Sequence, residues 1–266
     1  MADAEYGRAR ALLALKDSTA AAAALQAIHG KPGHEFANEA RLSHGNLLFE
    51  QKEYRQAADL FRLAEEQAPA GPQRGRAALN LGFSLSEAGD LAAAEAPFRR
   101  ATESTEVAAE AALWLGLTLK KQKKYQPAIE WLATAYPRFK QTSQAEQIQY
   151  QWGDTLLRQG SHSEAEKVFQ TLLDDWPQGR LREETLHAAT LAAVSAGQLA
   201  EAERWINRYQ TDFPKGKLRL REAILSGRVA LMRGLAAGRA NESDVARQLF
   251  TQAEQIQAQE IGRAHV

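Results

Sequence analysis

At 266 residues the chain has room for one or two globular domains, and 33 Lys plus Arg against 33 Asp plus Glu leave a formal net charge of zero. That balance speaks against nucleic acid and anionic membrane surfaces, which require a clustered positive field. The absence of cysteine excludes disulfides, thiol nucleophiles and cysteine metal sites, and suits cytosol and periplasm alike.

No apolar run reaches the roughly 18 residues of a spanning helix, so no membrane insertion is expected. Abundant alanine and sparse Val and Ile favour helix over strand throughout. The opening MADAEYGRARALLALKD is charged and lacks the basic, apolar and cleavage regions of a signal peptide. Tyr6 to Leu15 and Thr19 to Ile28 read as a weak helical pair, broken off by Gly30, Pro32 and Gly33. The run Ala20 to Ala24 offers little large apolar surface, so this end is expected to fray or to pack on a segment upstream.

From residue 36 a helical unit recurs. A small residue that lets a second helix approach falls at Gly45, Gly82, Gly116, Gly153, Thr190 and Gly227, in steps of 37, 34, 37, 37 and 37 residues. A second small residue falls at Ala57, Ala94, Ala128, Ala165 and Ala202. Four residues after each come Phe61, Phe98, Leu132, Phe169 and Ile206, the large side chains that fill the space the small ones leave. Pro69, Pro177 and Pro214 close three units, because proline cannot continue the second helix. The unit Ala145 to Pro177 is the clearest: Gly160 ends its first helix, and Ser161 or Ser163 caps its second.

Two prolines depart from the pattern. Pro97 lies inside a second helix, where proline costs about 3 kcal/mol, so a kink or a late start is expected. Pro137 comes early, so the helix from Tyr125 should end before it and the linker to Thr142 should lengthen. In the last unit LAAGRANESDV lies between Gly234 and Ala246, about seven residues more than the equivalent turn elsewhere. Asn241 or Ser243 is placed to cap the helix that follows, with Phe250 and Ala253 as its knobs. The ending EIGRAHV back-translates to a common sequencing-library adapter, so residues 261–266 are expected to be a non-native tail on a fragment of a longer chain.

The Gly in the first helix, the Ala and aromatic four apart in the second and the closing Pro resemble the tetratricopeptide (TPR) repeat. The resemblance covers residues 36–256. It implies an all-α fold, a right-handed TPR solenoid of about six to seven antiparallel helix pairs. The expected organisation is a degenerate helical pair over 1–35, a TPR array over 36–260 and the tail over 261–266. The closing pairs Tyr136–Pro137, Trp176–Pro177 and Phe213–Pro214 resemble those of bacterial envelope TPR proteins, among them the Tol-Pal-associated periplasmic coordinator and the outer-membrane-assembly lipoprotein. That resemblance implies periplasm or cell envelope if the native N-terminus is missing, and cytoplasm otherwise.

In TPR proteins the first, or A, helices line a concave groove. Groove positions fall six and three residues before the small residue and one and four after it. They select Asn46, Phe49, Leu79, Phe83, Leu113, Leu117, Tyr150, Asp154, Leu157, His187 and Arg228 as the partner-binding set. The mixture is apolar with a few charges and suits a partner peptide or helix held in side-chain pockets. Chaperone-tail-binding TPR domains hold a terminal carboxylate with two asparagines and several cations. Asn46 and Asn80 match the asparagines, but Leu42, Glu110 and Trp114 stand where the cations belong, so that subclass is rejected.

Nothing else carries chemistry. GxSxG, P-loop, GxGxxG and HExxH patterns are all absent. The histidines form no i,i+4 pair, so they read as surface or groove residues and no metal or cofactor is expected. Asp174–Asp175 and Glu183–Glu184 lie near helix termini and read as solvated or dipole-complementing. Trp114, Trp131, Trp152 and Trp205 fall at packing positions, with Trp176 between units, and Lys120, Lys121, Lys123 and Lys124 read as a solvated face, with a binding patch for an acidic partner as the alternative. The sequence therefore predicts a non-catalytic protein-interaction scaffold. The alternative is a sensing or regulatory region of a longer enzyme or transcription regulator.

Overall fold

The computed structural model describes residues 2–237 and, beyond them, 244–245, 247–248, 250–251 and 254–255. The described residues contain no strand. The helices are α1 (Ala2–Ala14), α2 (Ser18–His29), α3 (Ala37–Glu50), α4 (Tyr54–Gln67), α5 (Pro72–Glu87), α6 (Leu91–Ala101), α7 (Ala108–Lys121), α8 (Tyr125–Phe139), α9 (Ala145–Gln159), α10 (His162–Asp175), α11 (Arg182–Ser195), α12 (Leu199–Asp212) and α13 (Arg219–Ala237). They fall into two compact units, residues 1–131 and 132–266, divided within α8. In each unit consecutive helices pack together and successive A helices touch: α3 with α5 and α5 with α7 in the first, α9 with α11 and α11 with α13 in the second. The proposed caps Asn241 and Ser243, Ala253 and the 261–266 tail lie outside the described residues.

The small-to-large pairing holds each hairpin closed. A Cβ on Gly45 would stand 2.7 Å from the Phe61 ring, on Gly82 2.6 Å from Phe98, and on Gly153 2.5 Å from Phe169. Those three rings are at most 1% exposed. Phe250 meets Gly227 in the same way, at 3.2 Å. Burying one such ring stabilises by about 1.5–3 kcal/mol.

The hairpin turns share one device. Lys16, Lys52, Gly89, Lys123, Gly160 and Gly197 all have positive φ. Each stands seven residues after a small A-helix residue: Ala9, Gly45, Gly82, Gly116, Gly153 and Thr190. Ala9 therefore belongs to the series, and the first helical pair is a full member of the array. Ala9, Ala21 and Leu25 are completely buried in it. It packs on the next hairpin: Ile28 clusters with Ala40 of α3, and Tyr6 stacks on Phe36 with centroids 5.2 Å apart.

Gly160 caps α9 with φ 95°, as expected, its N–H reaching the Leu156 and Leu157 carbonyls. Ser161 occupies the N-cap of α10 but makes no capping bond. Of the two outcomes expected at Pro97 the late start does not occur, and Pro137 does not end its helix. α6 starts promptly at Leu91, because the Asp90 side chain accepts from the Ala93 N–H at 3.0 Å. Pro97 is buried within that helix, which is the shortest of the thirteen at 11 residues. α8 runs through Pro137 to Phe139. Tertiary contacts carry it past the proline: Phe139 is buried, the Tyr136 hydroxyl donates to Asp175 at 2.6 Å, and Lys140 pairs with Asp175 at 2.9 Å.

Candidate functional site: the faces of the A helices

In the first unit the A-helix face is built from α3, α5 and α7. Asn46 is exposed and its side-chain oxygen accepts from the Asn80 amide at 3.0 Å, joining α3 to α5. Asn46, Phe49, Phe61, Asn80 and Phe83 together line a small cleft. Phe83 is half-buried and stands edge-on to Phe98 (5.4 Å) and to Trp114 of α7 (5.0 Å, 89°). Phe49 stands edge-on to Tyr54 at 5.2 Å. Leu113 and Leu117 are half-buried on α7. The aromatic chain fixes Phe83 in one orientation, so the face presents a preset apolar floor edged by two amides.

Leu79 does not belong to this face. It is 5% exposed and packs with Ala78 and Phe98 in the core of the unit. Asn80, absent from the groove positions, takes its place at the cleft. Its signal in the sequence is the match of Asn46 and Asn80 to the paired asparagines of the chaperone-tail-binding subclass.

In the second unit the face is built from α9, α11 and α13. Tyr150 is half-buried and tilts against Phe169 at 5.9 Å. Burial pushes its phenol up to about 12, helped by the carboxylates of Asp154 and Glu184 and opposed by Arg158. Asp154 pairs with Arg158 at 2.9 Å, and Leu157 is half-buried one turn on. His187 is committed to the framework: its Nδ1 meets Glu222 of α13 at 2.7 Å. Glu222 is 2% exposed and also accepts from the Thr190 hydroxyl at 2.5 Å. Arg228 is exposed.

Two of the acids read as solvated or dipole-complementing, Glu183 and Asp175, are internal tethers, and Glu146 is a third. Glu146 accepts the Leu181 backbone N–H at 2.7 Å, and Gly179 packs against that carboxylate. One repeat later Glu183 accepts the Leu218 N–H at 2.8 Å and the Tyr209 hydroxyl at 2.7 Å, with Gly216 against it. Burial and the Glu183 carboxylate hold the Tyr209 phenol well above its ordinary value. Asp175 is held below the usual carboxylate range by the hydrogen bond from Tyr136 and then by Lys140. The tryptophans pack as expected where they meet a partner: Trp131 donates to the Ala112 carbonyl at 2.8 Å, and Trp205, 1% exposed, donates to Glu166 at 2.8 Å. In the lysine run Lys124 is engaged with Glu95 at 2.5 Å.

His29 and His44, read from the sequence as surface or groove residues, pair with one another. They face one another across α2 and α3 with ring nitrogens 3.0 Å apart, and both are half-buried. Burial lowers both, and for His29 the neighbouring His44 and Arg41 add to it. Among the described residues no three His, Cys, Asp or Glu side chains come together as metal ligands. No helix among them is long and apolar enough to cross a membrane.

The sequence matches the family described as Tetratricopeptide repeat over residues 6–72, 73–144 and 150–217. No curated protein matches the chain. Among solved structures it is similar to the C-terminal part of a TPR repeat-containing protein from Cytophaga hutchinsonii, with TM-score 0.71 and 13% identity, covering 94% of this chain and 95% of that one. A tetratricopeptide repeat protein from Parabacteroides merdae is similar with TM-score 0.58 and 15% identity, over 95% and 98%. YrrB, a TPR protein with an unusual peptide-binding site, is similar with TM-score 0.54 and 22% identity, over 71% and 91%.

Proposed function

The chain belongs to the tetratricopeptide repeat family, a family of protein-interaction scaffolds, and from that premise we propose that its A-helix faces bind a peptide or helix of another protein. The observation that carries this is the cleft of the first unit. Asn46, Phe49, Asn80 and Phe83 converge on it, and Phe83 is locked by two edge-on aromatic contacts. An apolar pocket that is already formed loses little side-chain entropy when an anchor enters. The amides beside it offer donors and acceptors to an extended backbone. YrrB, named for its peptide-binding site, supports the class of ligand.

The site set is then Asn46, Phe49, Asn80, Phe83, Leu113 and Leu117 in the first unit, with Tyr150, Asp154, Leu157 and Arg228 in the second. Partners would be recovered on the immobilised chain and identified by mass spectrometry. Phe83→Ala with Leu117→Ala should release partners of the first face, and Tyr150→Ala with Leu157→Ala those of the second. Full retention of every partner by all four changes combined, in a chain still folded by circular dichroism, would refute the proposal.

A further inference from the structure

α13 is apolar on two sides. Its inner side carries Leu225 and Val229, 7% and 2% exposed, together with the buried Glu222. Its outer side carries Ile224, Leu231 and Leu235, which are 45%, 37% and 73% exposed. Arg221 and Arg228 lie between and beside these apolar residues, both exposed. Among the described residues neither guanidinium has an ion pair or hydrogen bond. The five positions 221, 224, 228, 231 and 235 follow steps of three and four, so they form one stripe of a helix. A helix covered on one side needs no second apolar stripe for its own fold.

We propose that this stripe docks an acidic amphipathic helix of another protein. The inference rests on the reading that A-helix faces bind partner segments, and gives the second unit's face its partner chemistry. The alternating steps are those of a coiled-coil seam, whose natural complement is a second helix with apolar residues at the same spacing. The stripe runs for about 21 Å at 1.5 Å per residue, the length of about four turns. Charge selects the sign of the partner. Glu222, the one acid in α13, turns inward to His187 and Thr190. The outer stripe is therefore purely cationic, and carboxylates flanking the partner's apolar seam would meet Arg221 and Arg228. Arginine forks bind carboxylates with two parallel hydrogen bonds, which fixes register as well as sign.

The test uses fluorescent peptides of about 18 residues, enough for about five turns, with leucine at the seam positions and either glutamate or lysine beside them. The full chain should bind the glutamate peptide, more weakly as salt rises, and bind the lysine peptide at least about tenfold less well. Arg221→Glu with Arg228→Glu should invert that preference, and Leu231→Ser should weaken both peptides without unfolding the chain. Equal binding of the two peptides, binding of neither, or no inversion in the charge-reversed protein would overturn the inference. So would capture by phosphatidylserine vesicles that is lost on charge reversal in a chain that ignores the peptides. If the glutamate peptide is released only by Phe83→Ala with Leu117→Ala, the stripe is not its site and the reading of the first unit's face stands.

Discussion

The two units solve the same packing problem with different joints. In the first, neighbouring repeats meet through an aromatic edge, an amide pair and an arginine fork on a buried acid: Phe83 on Trp114, Asn80 on Asn46, and Arg100 on Glu65, which is 4% exposed. In the second, three carboxylates span neighbouring repeats by accepting from backbone N–H and hydroxyl groups and by meeting an imidazole. Glu146, Glu183 and Glu222 each reach a group 32 to 35 residues away in sequence. The first arrangement leaves an apolar cleft and amides on the A-helix face. The second draws Glu146, Glu183 and Glu222 into the framework and leaves the outer side of α13 with arginines and aliphatic side chains. A repeat can thus keep one hairpin core while its inter-repeat joints determine what chemistry faces a partner.

The hairpin core is common to both units, so breaking it should cost the same in each. Phe98→Ala and Phe169→Ala should each destabilise by about 3–5 kcal/mol in urea unfolding. A large cost in one unit and a small one in the other would show that the shared core is not what holds them.

The joints should behave unequally. Glu183→Ala leaves the Leu218 N–H and the Tyr209 hydroxyl without their acceptor, a loss of about 2–4 kcal/mol on the usual cost of orphaned buried donors. Glu183→Gln should recover part of it, since the amide oxygen can still accept. Asn46→Ala removes an exposed bond and should cost under about 0.5 kcal/mol. Hydrogen exchange at the start of α13 and in α5 would read the two effects separately.

The repeat register was legible because a residue without a side chain and a large ring, held at one offset and repeated along the chain, mark a pair that pack on each other. Gly45 with Phe61, Gly82 with Phe98 and Gly153 with Phe169 could all be matched in this way. The first hairpin was obscured because alanine and leucine do the same work there at Ala9 and Leu25, and both residues are common in any helix. The tethers were hidden for a different reason. Glu183 looks like an ordinary acid in a first helical turn, and its partners Tyr209 and Leu218 come from elsewhere in the fold. Leu79 shows the limit of position rules: a leucine three residues before the small residue can turn into the core as readily as onto the face.

Acid should loosen the two units in a defined order. The folded His29 and His44 sit below their ordinary value of 6.5, so the unfolded chain binds more protons than the folded one. Their contribution is full above about pH 6.5 and is lost as pH falls through the lowered folded values. Asp175 is likewise lowered from 3.8, so its tether to Tyr136 holds at neutral pH and is lost only as pH falls below that range. Amide protection factors in α2 and α3 should therefore fall as pH drops below 6.5 while those in α8 and α10 hold. Simultaneous loss of protection would contradict the assignment.

The smallest expected effects are at the turns. Lys52→Gly and Lys123→Gly remove a side chain from left-handed backbone, a conformation that costs an L-residue about 1 kcal/mol. Part of that gain is offset by the entropy of glycine in the unfolded chain. Each substitution should stabilise by a few tenths of a kcal/mol, and destabilisation would mean that the lysine side chains serve the fold in some further way.

The most direct test of the scaffold assignment is site-specific photocrosslinking, with a photoreactive residue at Leu117 on the A-helix face and, separately, at Leu63, which is 42% exposed on α4. The account predicts partner adducts from Leu117 and none from Leu63. Adducts from Leu63 with none from Leu117 would place the partner on the second-helix side and contradict it.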